Sequence, residues 1–416
     1  MSYLRKKQSG HSISGIKRNL HVANILAYMA SRYGGPPQVA IGLGRALQNY
    51  DVDISYWATG DKNDATEIQQ LRLNTNIYKT SWPKLWYYCP EVLEQVLKNT
   101  KDIDLVHIHE MWSYPQYIAA KIANRKSIPY IITPHGNLDP WKIRRKTRRY
   151  IYLSLFGKHM LQKSACVQAF TPNEVDNLRK VGHKGPITII PNGINPKEFL
   201  NLPSYHSAEE IWPKLKNRRV VLFMSRLSEE KGLDVLLSAW KNVISRPNFK
   251  DAVLVIAGPD YKGYVKTVKS MLANYNLDSN LILTGMVTGH KKMSLMSRAD
   301  AYILPSYSEG FSISLLENLA AANPVIVTPA CYFPELSSLG IGLCVPPKPD
   351  SLAECMKILL DMPFDKRKQI GKIGRDFVFQ NYSWDIAARK MMTVYQHILA
   401  GKDVPLYPEP IQQNQN

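Results

Sequence analysis

The most constraining feature of this sequence is an alternation that runs through it twice: short apolar runs, each followed by a longer stretch of helical period. Short runs rich in β-branched residues and bounded by polar turns suit buried parallel strands, and the intervening helices supply the crossovers that parallel strands need. In the first half the strand candidates are Leu20 to Ala27, Val52 to Ala58, Asp104 to Ile108, Ile128 to Thr133, Cys166 to Thr171 and Ile187 to Pro191. A passage punctuated by Pro191, Pro196, Pro203 and Pro213 then reads as a linker. The pattern restarts with strands Val220 to Ser225, Val253 to Gly258, Leu281 to Gly285, Ala301 to Pro305 and Pro324 to Thr328. Helices Leu233 to Ile244, Lys262 to Tyr275 and Ser312 to Ala322 fall between them. The expected fold class is α/β, with two Rossmann-like domains in tandem and a cleft between them. The 416 residues fit two or three domains at roughly 150 residues each. Near the end, Trp384 to Leu399 sets Ile386, Ala387, Met391, Val394, Tyr395 and Ile398 on one helical face, and a Pro-, Gln- and Asn-rich tail follows. The expected partition is 1–195, 196–383, and a closing helix with tail at 384–416.

Charge narrows the partners. The formal net charge is +19, and residues 1–200 hold most of the excess, with 28 basic against 14 acidic side chains. Such a balance draws phosphate, whether in nucleic acid, lipid head groups or a nucleotide. Five cysteines without C-x-x-C spacing suggest neither zinc nor a disulfide framework and suit a reducing cytoplasm. No apolar run reaches the roughly 18 residues of a membrane span. Basic residues ahead of Leu20 to Ala30 loosely imitate a signal peptide, but His21, Asn24 and the Gly34-Gly35 pair suit a first strand and its loop.

In open α/β sheets ligands bind beyond the carboxyl ends of the strands. After Val220 to Ser225 come Arg226 and Lys231-Gly232, two cations on one loop beside a helix start, a combination suited to a diphosphate. After Ile303 to Pro305 comes Ser306-Tyr-Ser-Glu309-Gly310-Phe311-Ser312, with Glu317 about a turn and a half into the next helix. An ionised carboxylate only accepts hydrogen bonds, and its two oxygens suit a ribose cis-diol. A nucleoside diphosphate sugar, with phosphates between two hydroxyl-rich rings, would use all of these groups.

The spacing Glu309 to Glu317, the Arg226 and Lys231-Gly232 pair, Gly34-Gly35, Pro134-His135-Gly136 and Pro191-Asn192-Gly193, in that family's order, resemble the retaining GT-B glycosyltransferases of the large E-x7-E class, family 4-like, group 1. The resemblance implies that Arg226 and Lys231 neutralise the donor diphosphate, that Glu317 takes the nucleotide ribose and that Glu309 takes donor-sugar hydroxyls. It implies backbone contacts to the donor from Gly310, Phe311 and Ser312, a base contact at Val287, and Gly35 under the diphosphate. His135 is placed near the donor sugar, and the last helix crosses back to the first domain. Ala322 stands where Gly is usual before x-Pro-Val, which bears on the tightness of that turn. Ser312 stands where Gly or Pro is usual, so donor-sugar contacts are expected to differ.

The Asp51-Val-Asp53 and Asp102-Ile-Asp104 pairs open predicted strands, away from the ligand crevice, so neither metal nor another cofactor is expected. Gly42-Leu-Gly44 lies in a helical stretch and reads as packing. The basic run Lys142, Arg144, Arg145, Lys146, Arg148 and Arg149, followed by the apolar-aromatic Tyr150 to Phe156, suits an anionic membrane surface or a lipid-linked acceptor. Nucleic acid is not expected, because the aromatics follow the run instead of interleaving with it. The expected function is hexose transfer to a lipid-linked or oligosaccharide acceptor in surface polysaccharide assembly, on the inner face of the cytoplasmic membrane; the alternatives are transfer to a small sugar in the cytosol and a nucleotide-sugar-binding scaffold without turnover.

Overall fold

The computed structural model describes residues 18–82, 85–92, 102–145 and 147–407. Two sheets, each flanked by helices, form two Rossmann-like lobes with a cleft between them. The first contains β1 (Leu20–Tyr28), β2 (Val52–Thr59), β3 (Thr75–Tyr78), β4 (Leu105–His109), β5 (Tyr130–Thr133), β6 (Cys166–Ala169) and β7 (Ile187–Ile189), in the order β3-β2-β1-β4-β5-β6-β7. The second contains β8 (Val220–Met224), β9 (Val253–Ala257), β10 (Leu281–Gly285), β11 (Ala301–Leu304), β12 (Val325–Val327) and β13 (Gly342–Cys344), in the order β10-β9-β8-β11-β12-β13. Every named strand pair is parallel. Parallel sheets covered on both faces need continuous apolar strands, and β8, β9 and β11 are buried throughout.

Both sheets change winding direction once. The chain leaves β1 to one side and returns to pair β4 on the other, in register Val22 opposite Leu105; β8 and β11 repeat this in the second lobe, with Ala301 opposite Val221. At such a switch point the two loops part and leave a crevice. Gly34-Gly35, Glu110, Arg226 and the Ser306–Ser312 loop all follow these four strands.

The sequence expectations for strands hold apart from their ends, and two strands escaped them. β3 and β13 are sheet edges, each with half-exposed positions and no apolar run to signal them. The Pro-rich passage contains short helical turns at Pro196–Phe199, Ser207–Ile211 and Pro213–Leu215. The last helix spans Trp384–Leu399, capped by Ser383, whose hydroxyl accepts from the Ile386 N–H. Its buried Ala387, Ala388, Met391, Val394 and Tyr395 join the first-lobe cluster that includes Ala40, Leu43 and Leu47. Gly42 makes this possible: a Cβ there would stand 2.3 Å from the Trp384 ring. Gly44 similarly leaves room for the Tyr56 hydroxyl. Among the described residues, no helix is long and apolar enough to cross a membrane.

Candidate functional site

The two switch points face each other across a cleft of about 2060 Å³. Beneath it, the turn after β8 carries Arg226, and the short turn Glu229–Lys231 ends at Gly232, whose φ of +66° is natural for glycine. A Cβ at Gly232 would lie 2.0 Å from the Pro305 carbonyl oxygen, so the two loops of this lobe are pressed together by that residue. The result is one polar wall. Lys231 Nζ donates to Glu309 Oε1 at 2.6 Å, and the Ser306 hydroxyl donates to the same oxygen at 2.8 Å. Arg226 donates to Glu230 at 3.2 Å and lies 5.0 Å from the Tyr261 ring centroid. Ser312 caps the helix Ile313–Ala320 by accepting from the Leu315 N–H, leaving the first turn's free N–H groups toward the cleft.

Glu317, on that helix, lines the cleft but is not free on both oxygens. Lys292 Nζ donates to its Oε1 at 2.5 Å. Lys292 was not anticipated; it sits one turn into the helix Gly289–Arg298, just beyond β10, where the rule of looking past strand ends would have found it. Val287, Gly310 and Phe311 line the same cleft.

Across the cleft, Gly35 begins the helix Gly35–Leu47 with open space where a Cβ would go, and Gly34 before it lies against the Arg226 side chain. His135 and Gly136 both adopt positive φ, +57° and +67°. This tight turn is pinned by Glu174, whose buried carboxylate accepts from the Gly136 N–H at 2.5 Å and the Phe170 N–H at 2.7 Å. Glu174 has no signal in the sequence beyond its place three residues after the capping Thr171.

His135 is the end of a hydrogen-bonded histidine pair. Asn24 Oδ1 accepts from His109 Nε2 at 2.8 Å, so His109 Nδ1 accepts from His135 Nε2 at 3.0 Å. A second chain starts at the Ile190 carbonyl, which accepts from Gln168; Gln168 accepts from Thr133, Thr133 from His107, and His107 from the Tyr395 hydroxyl. Burial keeps all three imidazoles neutral: His107 and His135 fall to about 3, and His109 is held well below the ordinary histidine value.

The lobes touch around this site. A Cβ at Gly136 would lie 2.5 Å from Gly310 Cα, Asn192 Nδ2 donates to the Phe311 carbonyl at 2.8 Å, and Ser308 donates to Asp139 at 2.8 Å.

The basic run does not form one surface. Lys142 points into the cleft wall and Arg145 Nη2 lies 2.5 Å from Glu229 of the other lobe. Arg149 leans over the Trp112 ring at 5.4 Å. Arg144 and Arg148 are exposed, and Lys146 lies outside the described residues. A π-helical turn at Leu153–Gly157 shifts the faces of the following helix, so Tyr152 and Phe156 pack inward while Tyr150, Ile151 and Leu155 are exposed. Lys142, Arg145, Arg148 and Arg149 line the cleft while Arg144 is exposed outside it, so the run divides between cleft and surface.

The Asp-x-Asp pairs lie at the opposite end of the sheet. Asp104 pairs with Arg18 at 2.7 Å and Asp53 accepts from Asn19. Among the described residues, no three His, Cys, Asp or Glu side chains are grouped to hold a metal.

Comparison with known proteins gives the same assignment for both lobes. Residues 33–198 match the family described as Glycosyltransferase Family 4, and residues 206–377 match Glycosyl transferases group 1. Over 324 residues the chain is 34% identical to an uncharacterized glycosyltransferase of Methanocaldococcus jannaschii, covering 70% of this chain and 75% of that protein. Sucrose-phosphate synthase from Thermosynechococcus elongatus has a TM-score of 0.74 at 19% identity, covering 92% of this chain and 100% of that one. Anabaena HepE in complex with UDP-glucose has a TM-score of 0.74 at 16% identity, with coverage of 92% and 100%. Since the matches fall on both lobes in order and a relative exceeds 30% identity over most of its length, this chain belongs to the family 4, group 1 glycosyltransferases and is a glycosyltransferase of GT-B fold.

Proposed function

We propose that the protein moves a hexose, with retention of configuration, from a nucleoside diphosphate sugar held in the cleft to a small hydroxyl-bearing sugar acceptor held by the first lobe. Residues 1–195 would serve the acceptor, 196–383 the donor, and the segment 384–416 would tie the lobes together. The observation that carries this reading is the single wall of Arg226, Lys231, Glu309 and Glu317 facing the free helix start at Gly35. Arg226 and Lys231 take the diphosphate, and Lys231 has donors enough to bind a phosphate while holding Glu309. Glu309 takes donor-sugar hydroxyls, and Glu317 with Lys292 takes the ribose. Gly310, Phe311 and Ser312 approach the donor through backbone, Val287 meets the base, and His135 borders the sugar.

In the reaction, the bond between the anomeric carbon and the diphosphate oxygen breaks, and its electron pair stays with the phosphate. The acceptor oxygen bonds to the same face of that carbon, and its proton passes to a non-bridging oxygen of the leaving phosphate. Positioned cations stabilise the charge that develops there. No step requires a metal or another cofactor.

The acceptor reading rests on the wall above His135. Glu110 ends β4 at a φ of +62° and accepts from Asn137 at 2.9 Å and from the Tyr28 hydroxyl at 3.3 Å. Burial raises its carboxyl above the ordinary value. Trp86, Tyr87, Trp112 and Phe156 line the cleft beside it. Carboxylate and amide for hydroxyls, with aromatic faces for ring C–H groups, suit a sugar. The structurally similar sucrose-phosphate synthase is, by name, an enzyme making a sugar phosphate.

A second reading, a lipid-linked acceptor used in surface polysaccharide assembly at the inner membrane face, is favoured by one observation: Tyr150, Ile151 and Leu155 are 67%, 51% and 65% exposed beside Arg144 and Arg148. Flotation with anionic vesicles at low salt separates the two, binding favouring the lipid. For the donor, thermal-shift screening against uridine, guanosine, adenosine and thymidine diphosphate hexoses tests the central reading. At a hundredfold excess over its Kd, the true donor stabilises the fold by about 2.7 kcal/mol. No shift with any of them would overturn it.

A further inference from the structure

Lys142 lines the cleft with no ion pair of its own among the described residues, whereas Lys231, Lys292, Arg226 and Arg145 each pair with a carboxylate. It belongs to the first lobe, on the short helix Pro140–Arg144, yet the charged groups that act on it, Glu230, Lys231, Glu309 and Arg226, belong to the second lobe's diphosphate wall. Burial in the cleft pulls its ammonium below the ordinary lysine value, and Glu230 offsets part of that effect. A half-buried ammonium among these groups gains when a phosphate meets it.

The helix that carries Lys142 is gripped from the other lobe on three sides. Asp139 caps it by accepting from the Trp141 N–H at 2.7 Å, while its other oxygen accepts from Ser308 at 2.8 Å. The Trp141 ring stacks on Tyr307, 6.2 Å between centroids and 14° between planes. Arg145 pairs with Glu229 at 2.5 Å and lies 4.5 Å from the Trp141 ring centroid. The Asp139–Ser308, Trp141–Tyr307 and Arg145–Glu229 contacts exist only while the lobes are together, since each joins the segment 139–145 to residues 229 or 307–308.

We propose that the segment Asp139–Arg145 is an interlobe clasp, and that closing it delivers Lys142 as a third cation onto the distal phosphate of the departing nucleoside diphosphate. The proposal rests on the donor reading above and deepens it. It gives the first half of the basic run a role inside the reaction instead of at a membrane. When the anomeric C–O bond breaks and its electron pair stays on the distal phosphate, the Lys142 ammonium donates a hydrogen bond to that phosphate. The acceptor proton still ends on a phosphate oxygen, so Lys142 keeps its own. An open enzyme would lack this cation, which would couple turnover to closure and limit wasteful hydrolysis of donor.

The test uses the full-length protein with Lys142→Met, Lys142→Arg and, as a check on the donor reading, Arg226→Ala. Lys142→Met should lower kcat about 100-fold with donor KM changed far less, and Lys142→Arg should recover most of the loss. Binding separates this role from a structural one: Lys142→Met should weaken UDP, or GDP where the donor screen selects guanine, about tenfold while leaving UMP or GMP unchanged. Breaking the clasp with Arg145→Glu should lower kcat, and adding Glu229→Arg should restore it. If Arg226→Ala abolishes activity while Lys142→Met keeps wild-type kcat and diphosphate affinity, the clasp proposal fails and the donor reading stands. If neither variant loses activity, the donor reading itself is wrong. Equal loss of monophosphate and diphosphate binding in Lys142→Met would also overturn the proposal.

Discussion

Three histidines carry the heaviest burden at the scale of single residues. His107, His109 and His135 are neutral in the fold because burial disfavours their charged forms. An unfolded histidine titrates near 6.5, so the unfolded chain takes up protons that the native chain refuses as pH falls below that value. Their contribution is therefore fully present above about pH 6.5 and is lost progressively below it. Each refused proton steepens the fall by about 1.4 kcal/mol per pH unit. Glu110 and Glu174 act in the opposite sense, since burial raises their carboxyls and favours the folded protonated form, so the histidine contribution is read over pH 7.5 to 5.5 by comparison with histidine variants. Urea midpoints should drop across that window, and His107→Gln should flatten the drop; a midpoint independent of pH there would show that the imidazoles are already solvated. The carboxylates and cations of the donor wall were readable from sequence because Arg226, Lys231 and Glu309 lie in the loops that follow strands, Glu317 stands eight residues after Glu309, and their charge is intrinsic. His109 and Glu174 were not, because their roles come from neighbours 26 and 38 residues away, whereas Lys292 stands just beyond a strand end and takes its role from Glu317, 25 residues on.

Elements were legible to the degree that they are buried. The helices Leu233–Ile244 and Trp384–Leu399 have the bounds the sequence predicts, and in the second Ala387, Met391, Val394 and Tyr395 are buried as expected, with Ala388 beside them and Ile386 and Ile398 half-buried. The edge strands β3 and β13 bury too little to leave a pattern. The basic run shows the converse: charge density along a chain says nothing of direction, and the helix turn at Pro140–Arg144 sends Lys142 inward and Arg144 outward. The turn ending the helix Ile313–Ala320 explains an oddity of the sequence. Ala322 adopts a φ of +61° there, and its N–H still donates to the Leu319 carbonyl, so the tight turn persists without the glycine usual in similar chains. An L-residue in that conformation costs roughly 1–2 kcal/mol, part of which glycine returns through its unfolded-state entropy. Ala322→Gly should therefore stabilise the second lobe by about 0.5–1 kcal/mol, read as a higher urea midpoint at unchanged activity. A lower midpoint would show that the Ala322 methyl packs well enough to outweigh its strain.

Across the whole molecule, two sheets of like winding present their switch points to one another, and Gly35, Arg226, Lys231, Glu309 and Gly310 lie on the segments that follow the switch-point strands, with Val287, Lys292 and Glu317 lining the cleft beside them. The returning helix links the far terminus to the first sheet through the Tyr395 hydroxyl on His107 and through Trp384 over Gly42. That arrangement brings Arg226 against Gly34 and Gly310 against Gly136, with no room for a side chain at either glycine. The formal charge of +19 is thus divided. Part of it, including Lys142, Arg145 and Arg148, lines the cleft and part, as at Arg144, is exposed outside it. The most direct measurement is the rate of nucleoside diphosphate release from the donor selected by thermal shift, for wild type, Arg226→Ala and Lys231→Ala. Loss of either cation should lower kcat roughly 100- to 1000-fold with the fold intact. Wild-type turnover in both variants would contradict the placement of the diphosphate on that wall.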